Sequence, residues 1–228
     1  MRRVARTIGR AVGLAAAGTA LAGGGYVAAT WYRYGRAHRE GPADPLLDRF
    51  MPVYEVRERH QVRVTAPVDA TFAAARALDL QRSRAIRAIF RAREILMRAA
   101  PQRPARAGAF LEQARAMGWR ELAQEPGREI VMGAVTRPWE ANVVFRGLSP
   151  EEFASFAEPG YVKIAWTLAA APDGPSHALA ITETRVATTD AGARARFRRY
   201  WSLASPGILL IRRLALRNVK HDAERRPG

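Results

Sequence analysis

Residues 54–64, YEVRERHQVRV, alternate hydrophobic and polar positions with the period of two that belongs to a β-strand. Tyr54, Val56, Val62 and Val64 share one parity; Arg57, Arg59, Gln61 and Arg63 share the other. Glu58 and His60 interrupt the apolar parity, so this strand is the first place to look for chemistry. The pattern predicts a strand over about 54–65, ended by Pro67, and a helix through ATFAAARALDL capped by Asp69. A second helix runs from about Ser83 to Ala99. Ile86, Ile89, Phe90 and Leu96 form its apolar stripe, and Arg84, Arg87, Arg91 and Arg98 decorate other faces.

Further along, a short helix over about 109–117 leads to the strand WRELAQE, and Pro126-Gly127 turns the chain into REIVMGAVT as a hairpin. After a short strand, NVVFRG, the residues Ser149, Pro150 and Glu152 carry the signature of a boxed helix start. Two longer strands, about 161–170 and 177–188, flank the turn APDGPS. A long basic helix begins near Asp190, is expected to break at Pro206-Gly207, and fades after Lys220. One strand, two helices, a run of antiparallel strands and a long terminal helix make an α+β domain in which a sheet curves around a helix.

The N-terminus reads differently. Ala11 to Tyr32 is a run of 22 residues without a charge, enough to span a bilayer as a helix. Arg2, Arg3, Arg6 and Arg10 flank one end and Arg33, Arg36 and Arg39 the other, with Trp31 and Tyr32 at the interfacial position. Residues 1–32 are therefore expected to be a single-pass membrane anchor, with a cleaved signal peptide as the alternative. Residues 33–52 are expected to be a linker and 53–228 the folded domain. The flanking charges lean towards an internal N-terminus and an extracytoplasmic domain.

Over about residues 53–225 the chain resembles the START-like, polyketide-cyclase-like (SRPBCC) superfamily with the helix-grip fold. The stretches that carry the resemblance are YEVRERHQVRVTAPVDATF, FAEPGYVKIAWTL, ITETRVATTD and FRRYWSLASPGILLIRR. It implies a deep, largely apolar cavity between the sheet and the last helix, in a superfamily that binds or processes hydrophobic molecules. None of its catalytic signatures is matched here. It also implies that the first and last strands are antiparallel neighbours.

Leu179 and Ile181 set the apolar parity of ALAITETRV, which assigns Glu183 and Arg185 to the same face. Glu58, His60, Glu183 and Arg185 are then expected to converge on the concave face, unless a bulge turns them outward. Three roles are open for them: an internal salt-bridge network, a polar floor for an apolar ligand, or acid/base catalysis by Glu58 and His60. The expected cavity lining is Val56, Met132, Ile164, Trp166 and Ile181, with Trp139 at its mouth and Tyr200 and Trp201 from the last helix.

Charge widens the choice of partners. The formal net charge is +16 and the basic residues are almost all Arg. Residues 1–40 hold seven Arg against Glu40; 76–106 hold nine against Asp79 and Glu94; 190–228 hold nine and Lys220 against three carboxylates. Such faces suit anionic lipid head groups or nucleic acid, although no nucleic-acid reading motif is present. With no Cys and no His-x-x-His spacing, neither a metal site nor a cofactor is expected. The sequence thus points to a membrane-tethered binding protein for a hydrophobic small molecule or lipid. The alternatives are a cyclase- or aromatase-type enzyme and an interaction domain with a filled core.

Overall fold

The computed structural model describes residues 22–35, 44–99 and 109–225. Helix α1 (residues 22–33) and α2 (Pro45–Asp48) precede strand β1 (Val56–Val64). Helices α3 (Val68–Arg76), α4 (Arg84–Met97) and α5 (Phe110–Ala116) follow, with a 3-10 turn at Leu80–Arg82. Strands β2 (Arg120–Glu125), β3 (Glu129–Thr136) and β4 (Phe145–Arg146) lead to α6 (Pro150–Ser155). Strands β5 (Val162–Pro172) and β6 (Ala178–Thr188) and the 35-residue helix α7 (Ala191–Arg225) complete the domain. This is the expected α+β arrangement of an antiparallel sheet and a long C-terminal helix.

The sheet order is β1-β6-β5-β3-β2, with β4 paired to β3, so the first and last strands are neighbours. Register then sorts every side chain onto one of two faces. Val56, Glu58, His60, Val62 and Val64 of β1 lie opposite Val186, Thr184, Thr182, Ala180 and Ala178 of β6. That face meets α7: Val56, Val162 and Val186 pack with Phe197 and Trp201, and Val64 and Ala180 with Leu216, Val219 and Ala223. Across β5 and β3 the same face continues as Trp166, Leu168, Ile130 and Met132, covered by Leu111 and Ala114 of α5.

The opposite face is also buried. Leu47, Phe50 and Met51 pack there with Leu122, Val131, Val135, Phe153 and Ala165. Residues 44–51, expected from sequence to be linker, are therefore a lid over the convex side of the sheet. At Gly133 a Cβ would lie 2.5 Å from Leu122 Cδ1 and 3.2 Å from Phe153 Cε2. Gly133→Ala is thus expected to cost about 1–3 kcal/mol by overpacking, seen as a lowered denaturation midpoint in urea.

Two expectations about helices change. Asp69 lies in the first turn of α3 rather than at its cap, which Pro67 occupies without a side-chain hydrogen bond. Helix α7 runs through Pro206 without a break. Proline there removes one backbone hydrogen bond, but the sheet grips the helix on both sides of it, through Trp201 and Leu216. The neighbouring Gly207 is a packing notch: a Cβ on it would meet Ile89 of α4 at 3.2 Å. The capping box at α6 forms as expected, between Ser149 and Glu152.

Among the described residues no helix is long and apolar enough to cross a membrane. Residues 1–21 of the expected anchor, and 36–43 of the expected linker, lie outside the described residues. The part that is described runs along α7: Tyr26 Oη and Ser205 Oγ are 3.0 Å apart, and Arg198 Nε donates to the Trp31 carbonyl at 2.9 Å. Tyr34 donates to Glu55 at 3.2 Å, and Glu55 also accepts from Thr188 and Arg194. One carboxylate so ties α1, β6 and α7 together.

Candidate functional site

Along the β1–β6 pair, the face beneath α7 is apolar at both ends and polar in the middle. Glu58 and His60 lie opposite Thr184 and Thr182, between the Val56–Val186 and Val62–Ala180 rungs. Trp166 is the next residue across the sheet from Thr184. From above, α7 brings Arg212, on the inward stripe that also carries Trp201, Ile208 and Val219. Arg212 donates to the Thr184 hydroxyl through one terminal nitrogen, while its Nε is buried with no hydrogen-bond partner among the described residues. His60 Nε2 is buried in the same condition, 3.7 Å from the nearer carboxylate oxygen of Glu58.

Burial sets the electrostatics of this belt. It pushes the Arg212 guanidinium down to about 10, against the partial support of the Glu58 charge. Burial also lowers His60 below 6.5, reinforced by the positive charges of Arg212 and Arg213. His60 is accordingly a neutral imidazole at pH 7. An unfolded chain takes up this proton near 6.5, and the folded chain only at lower pH. The contribution of His60 to stability is complete above 6.5 and is lost progressively as the pH falls from there through the lowered folded-state value. Urea midpoints at pH 7.5 and 5.5 should differ less in His60→Gln than in the unaltered protein.

On the convex face Glu183 has its hydrogen bonds made, while Arg59 Nε and Glu129 Oε1, which line the cleft there, are buried without partners among the described residues. Glu183 is fully buried and accepts two bonds from Arg57 at 2.9 Å, one from Arg59 at 3.0 Å and one from Arg185 at 2.9 Å. Burial alone would raise its carboxyl, but the hydrogen bonds from the three arginines hold it below the usual range. Arg185 also donates to Asp48 and to the Met51 carbonyl, and stacks over the Tyr54 ring at 4.7 Å. The segment containing α2 therefore closes the network over.

The expected four-residue patch is thus divided between the two faces of the sheet. Glu58 and His60 lie under α7 as expected. Glu183 and Arg185 lie on the other side with Ile181, because β6 is buried on both faces and its two parities are equally apolar. Ile181 instead lines a cleft of about 260 Å³ with Asp44, Arg59, Arg128 and Glu129. There burial and the neighbouring Asp44 push the Glu129 carboxyl up to about 8.

The remaining expected residues do gather beneath the helices. Val56 and Trp201 are buried together, with Trp139, Ile164 and Tyr200 partly buried against them, and Met132 and Trp166 pack under α5. The expected deep cavity is another matter. This cleft and a second one, about 360 Å³ between α3 and α5, both lie away from the α7 belt. Side chains, Phe197 and Trp201 foremost, fill the space between α7 and the sheet at the Val56 end. Arg212, Thr182 and Thr184 were not read from sequence. The available signal was an arginine placed four residues after Ile208 on an otherwise apolar stripe.

The arrangement defines an α+β domain with a buried polar belt between sheet and terminal helix. No protein-family model matches the chain, and no curated protein matches it. Among solved structures it is similar to the di-domain ARO/CYC BexL from the BE-7585A biosynthetic pathway, at 15% identity and a TM-score of 0.33. That match covers 74% of this chain and 46% of BexL, so the chain spans about half the length of that protein. It is also similar to CalU16 from Micromonospora echinospora, at 15% identity and a TM-score of 0.26, over 74% of this chain and 83% of that one.

Proposed function

We propose that this domain binds a hydrophobic small molecule bearing a carboxylate or carbonyl, held between the concave face of the sheet and helix α7. The observation that carries the reading is the pair of buried nitrogens, Arg212 Nε and His60 Nε2, without hydrogen-bond partners on a mainly apolar face. Buried polar atoms are nearly always satisfied in folded proteins, and a ligand oxygen would satisfy these. Trp166 and Met132 would receive the apolar body and Thr182 and Thr184 would complete the polar end. Entry requires α7 or α4 to move aside. Helix α4 suits that role, since Ile86 is its only fully buried residue.

A second reading is a cyclase- or aromatase-type enzyme. The 3.7 Å approach of Glu58 to a neutral His60 favours it, because a neutral imidazole can take a proton from a bound ligand. We also propose that residues 11–32 anchor the domain beside a lipid-soluble ligand in a membrane-bound state in which α1 has given up its contacts with Ser205 and Arg198 of α7. Carbonate extraction of membranes, combined with a C-terminal reporter, tests that part.

Native mass spectrometry of the full chain purified from its own host tests the binding reading. A stoichiometric apolar adduct, released by Arg212→Met, is the expected result. Absence of any adduct, together with failure to take up pyrenebutyrate, would remove it. An adduct whose mass changes with time in the unaltered protein but not in Glu58→Gln or His60→Gln would favour the enzyme.

A further inference from the structure

The outer surface formed by α4 and α7 combines exposed apolar side chains with one sign of charge. On α4, Ile95 is 67% exposed and Leu96 79%, and Phe90, on another side of the helix, is 41% exposed. Ile89 and Leu96 lie seven residues apart on one stripe. Ile89 rests against Gly207 of α7, whereas Leu96 extends the stripe into solvent. On α7, Leu203 and Leu210 flank Gly207 in sequence and are 68% and 47% exposed. The two helices are thus neighbours, and Ile95 and Leu96 of α4 and Leu203 and Leu210 of α7 reach solvent.

The charges around these residues are arginines. Arg84, Arg87, Arg91 and Arg98 are exposed on and just after α4, where Glu94 is the one acidic residue. Arg196, Arg199, Arg213 and Arg217 are exposed on α7, which has no Asp or Glu from Ala191 to His221. On the other flank of α7, α1 shows Tyr32 64% exposed and Trp31 38% exposed under the guanidinium of Arg198. A surface that only needs to be soluble would alternate the sign of its charges and hide Leu96 and Ile95. Apolar side chains that project among arginines, beside an aromatic pair, match the boundary of an anionic bilayer, where the apolar groups enter the acyl region and the guanidinium groups meet phosphates.

We infer that the α4–α7 surface docks onto an anionic lipid bilayer, with Leu96 and Ile95 inserted and the arginines of both helices on the head groups. This is a different surface from the α7 belt and stands whether or not a ligand binds there. It also places α4, which packs on α7 and buries Ile86 alone among its residues, against the lipid.

The chain has no cysteine, so Leu96→Cys gives a single site for an environment-sensitive nitrobenzoxadiazole label, and Val53→Cys, 81% exposed beside the convex lid, gives the control. The full chain is mixed with vesicles of phosphatidylcholine alone or with added phosphatidylglycerol. Depth at each label, rather than bulk binding, is read, so insertion of residues 11–32 does not imitate the result. The expected outcome is a blue shift and quenching by lipid-borne spin labels at position 96 on the anionic vesicles only, with no change at position 53. Replacing Arg84, Arg87 and Arg91 by glutamate should abolish it, since each arginine at such a surface is worth roughly a fivefold change in partitioning. No shift at position 96, or an equal shift at 53, overturns the inference. So does a label already shielded without vesicles, which would mean that another part of the chain or a second copy covers the face. A shift produced by single-stranded RNA and not by vesicles would assign the surface to nucleic acid instead.

Discussion

Glu183→Ala is expected to cost about 3–5 kcal/mol, a large part of the 5–15 kcal/mol that separates folded from unfolded domains of this size. The reason is the number of arginines that one carboxylate serves. Arg57, Arg59 and Arg185 all donate to it, and the side chains of Arg57 and Arg185 are 4% and 1% exposed. Without Glu183, Arg185 keeps Asp48 and the Met51 carbonyl, while Arg57 and Arg59 both lose the carboxylate they share. Glu183→Gln should fall between, since an amide can accept one or two of these bonds but carries no charge. Urea denaturation of the unaltered protein and both variants would measure the series. Glu58→Gln is the useful contrast. Its side chain is 27% exposed, against 0% for Glu183, so solvent screens its charge and a change of under about 1 kcal/mol is expected. A large effect at Glu58 and a small one at Glu183 would reverse the assignment of structural and functional faces.

Arg212→Met should behave in the opposite way, keeping the fold and losing the ligand. The guanidinium is desolvated enough to be pushed down to about 10 and has one hydrogen bond, to Thr184. Replacing a buried charge by an apolar side chain of similar length is often neutral or stabilising by about 1–4 kcal/mol. The urea midpoint is therefore expected to stay level or rise. Affinity for pyrenebutyrate is expected to fall about 10- to 100-fold, the worth of one charge-assisted hydrogen bond, while uptake of pyrene itself is retained. Arg212→Lys separates charge from geometry: it keeps the cation and lacks the Nε–H. Equal loss of pyrene and pyrenebutyrate would mean that the helix had merely shifted, and no loss of either would remove Arg212 from the site.

The two variants also show which parts of the molecule were legible from sequence. Strand β1 could be read to the level of faces, because Val56, Val62 and Val64 mark one parity and set Glu58 and His60 beneath α7. Strand β6 could not. Leu179 and Ile181 compete with Ala180 and Val186, and a strand covered on both sides gives no polar parity to choose from. What covers the second side is Leu47, Phe50 and Met51, from a segment that sequence placed in a linker because Pro42 and Pro45 surround it. Its role depends on contacts with β3 and β5 far along the chain, which no local pattern records. The same holds for Arg57: read as wet, it is buried by that lid. At Pro206 local propensity pointed to a break, and packing on both sides of it overrode the preference.

The opposed charges on β1 have a consequence for how the chain finds its partner strand. A slip of one residue between β1 and β6 would turn β1 over, because successive side chains point to opposite faces. Arg57 and Arg59 would then enter the space beneath Arg212, a cluster of like charges with no acceptor but the threonines. Glu58 would arrive beside Glu183 just as that carboxylate lost two of its three arginines. A slip of one residue therefore brings like charges together on both sides of the sheet. The placing of Glu58 and His60 on one face and Arg57 and Arg59 on the other acts as a proofreading device for strand pairing. It guards against mispaired β1 and the aggregates that an unpaired edge would seed, a task separate from anything the finished site binds.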